Sequence, residues 1–518
     1  MLSDRCFVRG LLLGTHRDER GQIVFTFFPL LIGFFIIGAL AWDAGVWYFD
    51  HRTAQNQVDA ASLAAVQELP SDDTTDAETA AKDWLKRNGV ADSAADAIQV
   101  QHHDEVDITS YCTQPELQPG EARVVFGAKA DDGYHRVRVC LRRESLVLFS
   151  GLAGITNAIV SAGGTANLTE QPVRYALMAM DPTACQTLSL SGSPGGGGGS
   201  QPLIVKIGGD GSTYTHSTGS CANGTLSASG QAHLCTNVPE GAVDCSTAEP
   251  CPSGDPNLCG VHEHRSSWRA TGGSSITPTP NFRSSPMPDP FKNIFDEGIL
   301  PPPESSQSCA PQSPLPNPLP PGKYCDPVSP DGDELHLSGG NYVFMRGLSL
   351  QNNESIITDA PALIYITCAA ALAGTGSCSS SANFSVQSDG GSNADGISVC
   401  IHGKITGPGT SDCPFDSDAL DAEDVSCLPL ELECLAIVID PNWGDGNCIS
   451  LSGQGSFQIF GNIYAISCVV SMSGGAAQTN QLNTTLVANE IDFSGQSNYD
   501  VLWNASTAPK ELIIALVE

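Results

Sequence analysis

The chain has 518 residues, room for several domains at the usual ~150 residues each, with 24 Lys and Arg against 57 Asp and Glu and a formal net charge of −33. A phosphate-binding surface needs a basic excess, so this balance excludes nucleic acid as the main partner. Charged residues are only 16% of the chain and Gly (53) and Pro (34) are enriched, yet the 41% hydrophobic content suffices for a core and excludes a collagen-like or wholly disordered chain.

Residues 23–42, IVFTFFPLLIGFFIIGALAW, carry no charge. At about 1.5 Å per residue a helix of that length spans about 30 Å, the thickness of a bilayer's hydrocarbon core. Membrane helices tolerate the internal Pro29, Gly33 and Gly38, and Trp42, Trp47 and Tyr48 suit the far interface. Arg5, Arg9, Arg17 and Arg20 precede the run, and Arg52 is the only basic residue just after it. The positive-inside rule then makes 1–22 a cytoplasmic tail and 23–42 a single transmembrane helix in the cytoplasmic membrane, with the bulk periplasmic or extracellular. A cleaved signal peptide competes with this reading, but the run exceeds an h-region of about 7–15 residues.

Of 19 cysteines, Cys6 precedes the span and the rest follow it. That division fits an oxidised exterior with up to nine disulfides, whose pairing is not readable from sequence. Paired CxxC motifs of a structural zinc site are lacking. The spacings of Cys245 with Cys251 and of Cys427 with Cys434 suit loop staples.

Residues 43–69 are Ala-rich without Gly or Pro after Gly45, so the membrane helix is expected to continue outward as one rod until Pro70. Val58, Ala61, Leu63, Ala64, Ala65 and Val66 give it a small-residue face suited to a partner helix. A second helix is expected at 76–88, ended by Gly89. The sequence from Arg20-Gly21-Gln22 through the apolar run to Ala41 and Asp43, followed by Gln57, Asp59, Ala60, Ala61, Leu63, Ala64 and Ala65, resembles the N-terminal module of TadE/TadG-like proteins of tight-adherence (Flp) pilus assembly. The resemblance covers about residues 18–68. It implies an envelope protein anchored by one N-terminal helix and working with other pilus-assembly or envelope proteins. Phe25, Phe27 and Phe28 replace the smaller residues usual in that helix. The fifth residue after Gly21 is Thr26 rather than Glu, which argues against prepilin-type cleavage. The nearest approach to the family's DxSxS metal motif, Asp210 to Tyr214, lacks the second Ser.

Residues 97–109, 122–130 and 134–141 alternate as strands do, with Asp131-Asp132-Gly133 as a turn. A short helix at 145–152 and a strand at 155–168 follow. Residues 43–185 therefore read as an exposed helix plus a small α+β, pilin-like unit with an antiparallel sheet. His102 and His103 near Asp104, Glu105 and Asp107 read as an exposed polar strand edge in preference to a metal site.

From 186 to 518 the pattern apolar-x-apolar-Ser-Gly recurs at 188–192, 226–230, 335–339, 449–453, 470–474 and 491–495. The last three glycines, Gly453, Gly474 and Gly495, are equally spaced. Short strands with Gly turns at a period near 20 are the signature of a β-solenoid, and this part resembles the C-terminal right-handed β-helix of some TadE/TadG-like proteins. A Gly-rich insertion (193–200) and a Pro-rich one (277–330) interrupt it. The second is a strap across the solenoid or a surface loop, which Cys309 and Cys325 would staple down.

The overall fold class expected is mixed: transmembrane helix, small α+β unit, then an all-β solenoid. Candidate chemistry is sparse. Asp416, Asp418, Asp421, Glu423 and Asp424 lack EF-hand spacing. Asp440 and Asp445 would be the carboxylates of a β-helix carbohydrate-active enzyme. His262-Glu263-His264 is too short for HExxH. The expectation is a non-catalytic protein of pilus assembly or surface adhesion, with no metal and no cofactor. The alternatives are a surface-glycan or wall-polymer binding module and, less favoured, the enzyme.

Overall fold

The computed structural model describes the chain except residues 1–18, 70–73, 89, 91–97, 104–107, 113–116, 131–132, 147–148, 150–157, 194–200, 239–243, 249–258, 297, 312–314, 331–333, 352–353, 379–382, 388–397, 403–404, 407–425, 428–433, 445, 454–455, 475–478 and 518. The acidic cluster 416–424, Asp445, the acids beside His103, Asp131 and Asp132, most of the Gly-rich insertion and most of the N-terminal tail thus lie outside the described residues. The chain forms an N-terminal apolar helix followed by mostly β-structure in several sheets. It divides into two compact units, Met1–Gln171 with Leu512–Glu518, and Pro172–Glu511.

In the first unit, helix α1 (Glu19–Gln67) runs unbroken for 49 residues, with Pro29 inside it. It is one rod, as its composition predicts. Helix α2 (Thr74–Arg87) lies against it through Ala77, Ala81 and Leu85. A five-stranded sheet completes the unit, in the order β1 (Ile98–His102), β2 (Ala122–Ala130), β3 (Gly133–Ser145), β4 (Ala158–Pro172) and the C-terminal strand Lys510–Leu516. Strands β2, β3 and β4 are antiparallel neighbours. β1 pairs with β2 in parallel, against the all-antiparallel expectation. Parallel pairing needs a crossover of about a dozen residues or more, and 103–121 supplies it. Alternation along the strands sends Val124, Phe126, Val137, Val139, Val160 and Ala162 to one face, where they pack on Ala54, Val58, Ala61 and Ala65 of α1.

The second unit is built mainly of parallel ladders, beside one short antiparallel pair, 405–406 with 426–427. One sheet has nine strands, with 275–277 at one edge and 334–337 at the other. A second ladder runs from 281–282 to 322–324, and a third from 268–270 to 348–351. The strand order does not follow the sequence. Residues 172–282 build one half and 319–502 the other. The halves meet where Leu486–Gly495 pairs with Tyr175–Ala179 and Leu188–Gly192, and Asn498–Leu502 with Leu203–Gly208. The division between units falls at 171/172, short of the expected 185/186, because Tyr175–Ala179 already belongs to these ladders.

The Ser-Gly pattern becomes visible as register. Gly453 pairs with Gly474, Gly474 with Gly495, and Gly495 with Gly192. Two positions earlier, Leu451, Met472, Phe493, Leu190 and Ala228 stand in one row, all buried. The copy at 335–339 departs from this: its strand, Glu334–Leu337, lies in the nine-stranded sheet. Side chains from all three ladders merge in one apolar core. Each fully buried Leu, Ile or Phe contributes about 1.5–3 kcal/mol relative to exposure.

The Pro-rich segment is a strap. Met287, Phe291, Ile294 and Leu300 are buried on the outer face of the second ladder, among Tyr214, Met178, Val487, Tyr464, Tyr365 and Val343. Asp289 accepts a hydrogen bond from the Tyr464 hydroxyl at 2.6 Å, and Asn341 donates to Glu304 at 3.1 Å. Leu319 then bridges to Leu337 at the edge of the nine-stranded sheet. The strap thus carries the chain from one edge of the ladders to the other.

The Cys309–Cys325 disulfide closes its distal part, as expected. The other described pairs are Cys112–Cys140, Cys185–Cys221, Cys235–Cys245, Cys368–Cys378 and Cys448–Cys468. Cys245 therefore pairs with Cys235 and not with Cys251. Cys259 and Cys434 are disulfide-bonded as well.

Candidate functional site: the helix and the sheet that clasps it

Asp43, Asp50 and Gln57 are seven residues apart, about two turns, so they share one stripe of α1. The stripe faces the sheet, and each residue has a partner in the sheet, just beyond β3 or just past α2. Asp43 is 8% exposed, and its Oδ2 accepts the amide of Phe149 at 2.9 Å. Asp50 accepts from Arg143 Nη2 at 2.9 Å through Oδ1 and from the Ser145 hydroxyl at 2.6 Å through Oδ2. Gln57 donates to the carbonyl of Asn88, just past α2. Between them, Gln55 Nε2 donates to Asp59 Oδ1 at 2.8 Å and to the carbonyl of Gly163 at 3.0 Å. Hydrogen bonds to charged groups contribute about 1.5–3 kcal/mol each when shielded from water, and the partly exposed Arg143–Asp50 pair falls at or below about 1 kcal/mol.

The family-motif residues divide accordingly. Ala61, Ala64 and Ala65 are buried, and Leu63 packs at the edge of the same core. Ala60 is half-buried, and Gly21 lies near the start of α1. Asp59 abuts Gly164 of β4. The small-residue face around Val58–Val66 is therefore not open to a partner helix: the molecule's own sheet and α2 occupy it. What remains exposed on α1 is the apolar span from Phe27 onward, then Trp42, Trp47, Tyr48 and Phe49. Among the described residues α1 is the one helix long and apolar enough to cross a membrane.

Sequence reasoning did not single out Asp50, Arg143, Gly163 or Gly164. A Gly-Gly pair inside an alternating strand was the available signal, since such glycines mark close backbone approach.

The residues considered for chemistry have structural partners. His262 is fully buried, with Nδ1 2.9 Å from the Thr213 hydroxyl and Nε2 3.0 Å from the Thr277 carbonyl, and burial pushes its pKa down to about 4. Glu263 accepts from the Tyr175 hydroxyl at 2.5 Å and from Arg283 at 2.9 Å. Burial and this carboxylate push the Tyr175 phenol up. His264 meets Phe282 edge-on. Asp440 is buried and accepts from Tyr365 at 3.0 Å, Thr367 at 2.7 Å and the Asn442 amide at 2.9 Å. Ser212 accepts the amide of Val261. His102 stacks on Phe126, its Nε2 3.7 Å from Glu78.

No curated protein and no solved structure matches the chain. Two family models do match, and their limits coincide with the clasped module. Residues 21–68 match the family described as putative Flp pilus-assembly TadE/G-like, and residues 60–166 match the one described as putative Tad-like Flp pilus-assembly, so the N-terminal part of the chain carries Tad-like Flp pilus-assembly domains.

Proposed function

We propose that this is a single-pass protein of the cytoplasmic membrane that serves Flp pilus assembly without catalysis of its own. The observation that carries the reading is the coincidence of the two family matches, 21–68 and 60–166, with one structural unit built on α1. The exposed apolar span supports membrane insertion. The excess of Arg before it supports a cytoplasmic N-terminus, with both units on the outer side. The in-register parallel ladders and their shared apolar core support reading the second unit as a right-handed β-solenoid, displayed by the anchored module. The structural roles of Asp440 and His262 support a non-catalytic protein.

Because residues 54–69 belong to the core of the first unit, deleting the whole helix would unfold it. The informative variant replaces only residues 23–42 with an unrelated apolar helix. Pilus-assembly components should co-purify with the parent from detergent-solubilised membranes, and pili should be lost when the gene is deleted. Normal piliation in the deletion strain would refute the proposal.

A further inference from the structure

Two clasps fix the heights of the end of β3 and of Phe149 along α1. Arg143 and Ser145, at the end of β3, bond Asp50. Four residues later the amide of Phe149 bonds Asp43. Asp43 lies seven residues nearer the membrane span than Asp50, about 10 Å along a helix. Phe149 therefore sits at the level of Asp43, the residue directly after the uncharged run 23–42. Leu146 is 65% exposed and Phe149 43% exposed, although both belong to a segment that a soluble surface would make polar. From Ser145 to Thr169 the sequence has no charged residue. Trp42, Trp47, Tyr48 and Phe49 are exposed on α1 at the same level. Amphipathic aromatics and apolar side chains at that depth are what the headgroup boundary of a bilayer accommodates.

We infer that Leu146 and Phe149, just beyond β3, form a second membrane contact: they enter the outer interfacial layer beside α1 and set the height of the sheet over the bilayer. The occupant of this apolar surface is lipid, because the Asp43–Phe149 bond makes the surface continuous with the span. The inference rests on α1 crossing the membrane.

The test uses the full chain in lipid nanodiscs, with trifluoromethyl-phenylalanine placed singly at Phe149, Phe35 or Trp84. Fluorine relaxation is compared with a paramagnetic probe on the lipid chains and with a water-soluble one. The label at Phe35 reports the span and that at Trp84 the aqueous side of α2. The Phe149 label should relax several-fold faster with the lipid probe than with the water-soluble one, and the Trp84 label should do the reverse. If Phe149 behaves like Trp84 while Phe35 stays lipid-like, the second contact is wrong and the anchor stands. If Phe35 also follows the water-soluble probe, the anchor reading itself fails. A photoreactive phenylalanine at Phe149 in native membranes should yield lipid adducts, and a protein adduct in their place would overturn the inference.

Discussion

Gly164 of β4 and Asp59 of α1 approach so closely that a Cβ added at Gly164 would lie 2.5 Å from Asp59 Oδ1 and 2.9 Å from the Asp59 amide nitrogen. The second of these atoms is backbone and cannot swing aside. Gly164→Ala should therefore push β4 off the helix at a cost of about 1–3 kcal/mol, the range for overpacking. Hydrogen exchange would show it as faster exchange of β3 and β4 amides, with the second unit unchanged. Equal protection in variant and parent would mean that the helix and sheet are not held at this point.

Gly495 offers a parallel case in the second unit. Its φ is +97°, and an added Cβ would lie 2.3 Å from the Gly474 carbonyl oxygen. Gly495→Ala meets both a left-handed backbone and a clash with the neighbouring strand. Phe493→Ala, two residues earlier on the same strand, empties a fully buried site at a cost of about 3–5 kcal/mol. Both variants should lower the denaturant midpoint of the second unit, and Ser494→Ala, at a partly exposed position between them, should leave it nearly unchanged.

Asp440 tests whether a carboxylate in the β-array is structural. Asp440→Ala strands the buried hydroxyls of Tyr365 and Thr367, and a buried donor left without a partner costs about 1–3 kcal/mol. Thermal unfolding should shift downward. Thr367→Val removes one donor and should cost less. An Asp440→Ala variant as stable as the parent would show that the group is not held for packing.

His262 gives the fold a pH dependence of definite sign. Burial lowers its folded pKa to about 4, against about 6.5 for a free imidazole. Between those values the unfolded chain binds a proton that the folded chain does not. Stability therefore falls as pH drops from 6.5 towards 4, by roughly 3 kcal/mol at the full extent of the shift. His216 and His264, also lowered by burial, act in the same direction. His336, raised by its hydrogen bond with Asp359, acts in the opposite one. Urea midpoints measured across this range should slope less in His262→Gln than in the parent.

The local elements were legible where local physics decides them. Residues 43–69, without Pro or internal Gly after Gly45, had to continue the helix, and the strands at 122–130 and 134–141 followed from alternation. The equal spacing of Gly453, Gly474 and Gly495 foretold their register because parallel strands stack like on like. What was hidden depends on contacts distant in sequence. The alanine face of α1 has the same pattern whether a partner helix or its own sheet covers it. Nothing local in Asn498–Leu502 says that it will pair with Leu203–Gly208. The clasp at Asp50 needed Arg143, and neither residue stands out alone.

The chain leaves the first unit after residue 171 and re-enters it at 512. Within the second unit the amide of Val173 bonds the carbonyl of Pro509 at 2.8 Å, so entry and exit are neighbours. The far edges of the ladders, at 268–282 and 319–351, lie instead in the interior of the sequence. Strands can therefore be gained or lost at either edge while both attachment points keep their register. Any such change must be matched by the strap, which joins the two edges across the outer face of the second ladder.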